Sequence, residues 1–228
     1  MTDSAGATTA RRVGLSATQR EDLALALVLT IAFSVLPRWR VFEQIWARDV
    51  AGLKVLPWQW YVSALLVAAA LLLAVSTARR SGLHAGSIRE HWRGVLLVCG
   101  GTLLATAVVY PQLPVRPWGN APITMWTLSP LAQELFFFGY LYGRLETSFP
   151  GHVHQRIPLA RALLLTCAFF ALWHTPNFFS LPVGYVVFQL FYTGVLALIP
   201  GLARQWTGSI YYGIITHVGV NFIAWYAS

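Results

Sequence analysis

Seven apolar runs are spaced along the chain at 22–37, 59–78, 94–112, 122–143, 159–178, 184–203 and 207–227. Each approaches the roughly 20 residues that a helix needs to cross about 30 Å of hydrocarbon, so each predicts a membrane span. The first run is short and the sixth carries Pro200 near its end, which makes their limits the least sharply drawn. Between the first two runs, Trp39, Phe42, Ile45 and Trp46 recur at helical spacing opposite Arg40, Glu43 and Arg48, the pattern of an amphipathic helix lying in the interface. Residues Met1 to Arg20 are rich in Ser, Thr, Ala and Gly, with no apolar core of signal-peptide type, and predict a cytoplasmic tail. The expected fold is all-α: a polytopic transmembrane helical bundle of about seven spans, with residues 1–21 a tail and 22–228 one transmembrane domain.

Composition supports this pattern. Of the 228 residues only 11% are charged, against roughly 25% in soluble domains, and 57% are hydrophobic. Both an ordinary soluble domain and a disordered chain are excluded. The net charge of +8 could suggest a nucleic-acid binder, but the basic residues are spread through short segments between apolar runs. They serve as topology signals, and no nucleic-acid partner is expected. With the amino terminus inside, eleven basic residues are cytoplasmic and five (Arg38, Arg40, Arg48, Lys54 and Arg116) are outside. Fifteen of the sixteen basic residues are Arg, which points to a G+C-rich bacterial genome and so to the bacterial cytoplasmic membrane. Cys99 and Cys167 lie in apolar stretches, where packing is their expected role. Gly100-Gly101, also inside a span, is expected to permit close helix packing.

Seven of the eight acidic residues fall in tails, loops or span ends, and only Glu134 sits in the middle of a span. A carboxyl group there costs several kcal/mol unless it is paired, protonated or facing water, so it marks a functional site. His174 and His217 share that environment, and Asn221 follows His217 by four residues, on the same helical face. One Glu, two His and one Asn on three helices can hydrolyse a peptide bond: the acid as general base for water, an imidazole to orient it, and an imidazole with an amide to stabilise the oxyanion. The same Glu134, His174 and His217 could instead hold a zinc ion with one position open. No cofactor is otherwise expected, and neither a Gly-x-Ser-x-Gly nucleophile nor a phosphate-binding glycine loop is present.

The stretch Ala132-Gln133-Glu134-Leu135-Phe136-Phe137-Phe138-Gly139, followed by Phe170-x-x-x-His174 and His217-x-x-x-Asn221, resembles the three signature motifs of the CPBP (Abi) intramembrane proteases. That family includes the type II CAAX prenyl endopeptidases and bacterial processing enzymes. The resemblance covers residues 122–227 and implies a glutamic-type protease core, with Glu134 and His174 activating water and His217 and Asn221 stabilising the oxyanion. Its partners would be the bilayer and a protein or peptide substrate with a membrane-associated segment: a prenylated carboxyl-terminal peptide, a bacteriocin leader or a sorting tail. The first motif departs from the family's Glu-Glu-x-x-x-Arg, because Gln133 takes the first Glu position and Phe138 the Arg position. An amide has no useful basicity, so Glu134 becomes the base and Gln133 a supporting group. The alternative is a catalytically inactive substrate-binding relative or a small proton-coupled transporter.

The charge count makes a direct prediction about topology. With the amino terminus cytoplasmic and seven spans, a reporter fused after Ser228 is extracytoplasmic. Cytoplasmic reporter activity from that fusion would reverse the orientation.

Overall fold

A computed structural model describes residues 14–35, 58–77, 80–112 and 127–227. Among these residues there are seven helices. They are α1 (Ala17–Val35), α2 (Trp58–Ser76), α3 (Trp92–Gln112), α4 (128–148), α5 (Arg161–Phe179), α6 (Val183–Thr207) and α7 (Tyr211–Tyr226). Each corresponds to one apolar run. By length and composition α3, α5 and α6 are able to cross a membrane. A hairpin of β1 (His152–His154) and β2 (Ile157–Ala160), which the hydropathy pattern did not anticipate, joins α4 to α5. The predicted interfacial helix after the first run, the first thirteen residues and the start of the fourth run lie outside the described residues.

Helix limits differ from the apolar runs where local chemistry overrides hydropathy. α1 starts at Ala17, five residues before its run, because Ser16 and Gln19 cap it reciprocally. The Gln19 side chain accepts from Ser16 N at 2.9 Å, and Ser16 Oγ accepts from Gln19 N at 3.2 Å. In α5 the α-helical part ends at Leu172, because Pro176 has no N–H to offer the Leu172 carbonyl. Thr175 Oγ1 donates to that carbonyl at 2.8 Å, and the chain continues as a 3₁₀ turn, Thr175–Phe179. Pro200 acts in the same way in α6, which is interrupted at Ala197 between Val183–Leu196 and Leu198–Thr207.

The core is built around α4, which packs against α1, α2, α5, α6 and α7, while α3 packs on α6 and α7. Phe136, Phe137 and Phe138 are all fully buried. Phe33 of α1 stacks on Phe136 with ring centroids 4.5 Å apart, and Phe137 meets Phe170 edge-on at 5.1 Å. In a membrane such packing holds helices together through van der Waals contact, since lipid gives no hydrophobic drive for their association. Two polar clusters tie the α4 end to its neighbours. Arg144 Nε donates to Asp22 Oδ1 at 2.6 Å, and Ser148 Oγ donates to the other carboxylate oxygen. Arg204 was counted among the loop charges that set orientation, yet its side chain is buried. It donates to the Arg80 carbonyl at 2.6 Å and lies over the Tyr142 ring.

Close approach decides one position on α4. A Cβ at Gly143 would lie 2.5 Å from the Arg80 carbonyl oxygen, which is part of the backbone and has little room to retreat. Gly143→Ala is therefore expected to destabilise the protein by about 1–3 kcal/mol, the usual cost of overpacking. Thermal unfolding in detergent would register this as a lowered midpoint, and an unchanged midpoint would show that the segment after α2 can yield.

Candidate active site

Glu134 opens a wide, π-helical stretch of α4, Glu134–Leu141, in which every residue is buried. Insertions of this kind widen a helix by one residue per turn and re-aim the side chains around them. The Glu134 side chain is fully buried and points to α7, where His217 Nδ1 lies 2.8 Å from Glu134 Oε1. Glu134 Oε2 has no hydrogen-bond partner among the described residues. One turn before His217, Gly213 makes space for that oxygen: a Cβ there would stand 2.7 Å from Oε2 and 2.8 Å from Pro200 Cβ. The carboxylate is thus pinned on one oxygen and left without a protein partner on the other, within a wall shaped by a missing side chain.

His174 lies just beyond the α-helical part of α5, in the turn that Pro176 imposes, with Nδ1 3.2 Å from the Phe170 carbonyl. Its ring is 5.7 Å from the Phe170 ring, and the His217 ring is 5.8 Å from the same phenyl group. The two histidines therefore flank one aromatic side chain, and His217 is the one in hydrogen-bond contact with Glu134. Asn221 follows His217 by one turn of α7 and is partly buried. Gln133, though buried, does not join the pair, since its amide donates to Ser129 Oγ at 3.0 Å. Phe138, at the position of the family's Arg, packs on the Phe170 ring at 6.2 Å. Cys99 and Cys167 are buried free thiols.

Zinc was the alternative occupant of this set. Among the described residues no three His, Cys, Asp or Glu side chains are placed to share one ion. Glu134 and His217 engage each other directly, and the His174 Nδ1 atom faces a backbone carbonyl, so a tridentate site would require His174 to turn. Gly213 was not identified from the sequence, and Phe170, quoted there within the second motif, was given no role as the aromatic surface that both histidines share. Gly213 did leave a signal: Gly213, His217 and Asn221 are spaced by four and share a face of α7.

The molecule is a helical membrane protein whose interior holds an acid paired to a histidine from a helix distant in sequence. Residues 119–223 match the family described as Rce1-like, type II CAAX prenyl endopeptidase Rce1-like. The carboxyl-terminal part of the chain is thus similar to the CPBP/CAAX protease family. That family is one of CAAX prenyl endopeptidases, which act on protein substrates. No curated protein and no solved structure matched the chain.

Gly213 gives this site its most discriminating test. Gly213→Ala forces the added methyl against Glu134 Oε2, and a displacement near 1 Å at a reacting group can cost on the order of 100-fold in rate. Substrate cleavage in membranes should fall by about that factor while the protein still inserts and elutes as a folded species. Wild-type cleavage by Gly213→Ala would show that Glu134 is not held in this position during turnover.

Proposed function

We propose that this protein is an intramembrane endopeptidase of the bacterial cytoplasmic membrane that hydrolyses a peptide bond in a membrane-associated protein or peptide near the membrane surface. The observation that carries this reading is the 2.8 Å contact between Glu134 Oε1 and His217 Nδ1 inside a segment matched to a protease family. A buried acid with a histidine partner, one free oxygen and a fixed orientation is suited to take a proton from water. In this scheme His217 Nδ1–H holds Oε1, and Oε2 accepts the proton as the water oxygen attacks the scissile carbonyl. His217, when protonated, donates through Nε2, together with the Asn221 amide, to the oxyanion that forms. Collapse of the tetrahedral intermediate breaks the C–N bond, and Glu134 returns the proton to the leaving amine. His174, across the Phe170 ring, assists in positioning the water. The scheme requires no metal.

Gln133 supports a narrower second reading. Its amide is turned to Ser129 and has no part in the Glu134–His217 contact, so a glutamate at 133 could have been the ancestral base and its loss an inactivation. Substrate binding without turnover, or proton-coupled transport, would then remain.

Co-expression with a candidate substrate separates these readings. Wild type should release the cleaved segment, and Glu134→Gln, His217→Ala and His174→Ala should each lose processing while remaining membrane-inserted. Gln133→Glu should bring modest gain or some loss, through coupling of two buried acids. Wild-type inactivity restored by Gln133→Glu would move the base to position 133. Activity lost to a chelator and restored by zinc would replace the metal-free scheme.

A further inference from the structure

Away from the candidate active site, the described surface has two adjoining hollows at the start of α3. The first, about 370 Å³, is formed where Trp206, at the end of α6, leans over Gly94 beside His91, Trp92 and Arg93, with Glu90 on its rim. The second, about 510 Å³, shares Trp92 and Arg93 and continues along α3 over Leu96, Gly100, Gly101 and Leu104. Among the described residues no other helix packs against the glycine pair, where close helix packing was expected. A Cβ at Gly101 would meet nothing within 4 Å, and one at Gly100 only Leu96 of its own helix. Both glycines instead deepen an apolar channel whose borders, Leu96, Leu97 and Leu104, are 62%, 75% and 67% exposed.

We propose that this channel is a binding site for one glycerophospholipid, with the phosphodiester against Arg93 and an acyl chain laid over Gly100 and Gly101 toward Leu104. Three features of the structure argue for this occupant. Arg93 is exposed, its guanidinium lies 5.3 Å from the Trp92 ring centroid, and no carboxylate pairs with it among the described residues. The mouth is edged by Trp92 and Trp206, side chains that favour the level of lipid headgroups. From Arg93 to Leu104 the helix rises about 16 Å, at roughly 1.5 Å per residue, which is close to the hydrocarbon depth of a single leaflet. A polar mouth and an apolar track of that length match one lipid, headgroup to mid-bilayer. The Glu90 carboxylate on the rim accepts a hydrogen bond from a glycerol or ethanolamine headgroup, which choline cannot donate.

The full-length protein in nanodiscs containing a phosphatidylglycerol with a photoreactive acyl chain provides the test, with labelled residues mapped by mass spectrometry. Wild type is expected to be labelled within 94–108. Arg93→Gln should lower that labelling by about fivefold, the factor that one basic residue near the membrane surface contributes. Gly101→Leu, which fills the channel from an open position, should lower it at least as much, with gel filtration and thermal unfolding unchanged from wild type. Excess unlabelled phosphatidylglycerol should compete and phosphatidylcholine should compete less. Labelling that is unchanged in either variant, or competed equally by the two lipids, would overturn the proposal. So would efficient disulfide dimers of Gly101→Cys in membranes, because the channel would then be an interface between two copies of the chain.

Discussion

One carboxyl group placed where lipid and phenylalanine would otherwise fill the space governs the rest of this structure. Glu134 is fully buried, in a run where Phe136, Phe137 and Phe138 are buried as completely. An acid in such surroundings is tolerated only with a partner, and the bundle supplies one from a helix more than eighty residues away. Meeting that partner requires α4 and α7 to lie side by side, with Pro200 of α6 at the junction. The tertiary arrangement and the chemistry are therefore the same requirement: a bundle that fails to bring α7 to α4 leaves an unpartnered acid in its core.

The device that allows this approach is the absence of side-chain atoms at chosen points. Gly213 leaves room for one carboxylate oxygen, and Gly143 lets the backbone at Arg80 rest directly on α4. Neither position acts through a strained turn; each acts by lowering the distance between neighbouring elements. The wide turn at Glu134–Leu141 adds to this by shifting the register of the aromatic residues that follow the acid. Phe138 consequently packs on Phe170, the ring that both candidate histidines share.

Much of the fold could be read from the chain, since apolar runs of membrane length map one to one onto the seven described helices. The limits of those helices were less legible, because they depend on hydrogen-bond supply rather than hydropathy. Ser16 and Gln19 extend α1 through a polar turn, whereas Pro176 and Pro200 end α-helical bonding inside runs that remain apolar. Residue type singled out Glu134, His174, His217 and Asn221 as polar groups in apolar runs, and the structure joins Glu134 to His217 and sets both histidines against the Phe170 ring. Which histidine meets the acid was not legible, because spacing along a chain carries no record of the distance between helices. The surroundings of the Gly100-Gly101 pair were illegible for the same reason: a small residue suits close helix contact, yet among the described residues no other helix lies against this pair.

The stacking of Phe33 on Phe136 and the bond from Arg144 to Asp22 both join α1 to α4, and α1 lies wholly outside the matched segment 119–223. Phe136 is two residues from the buried acid, and Phe33 also faces Trp173, the residue before His174. The stretch recognisable by descent is thus smaller than the unit that holds the site in shape. Two relatives could agree at each residue of that stretch and still differ in competence because of a substitution near the amino terminus, where resemblance is no guide.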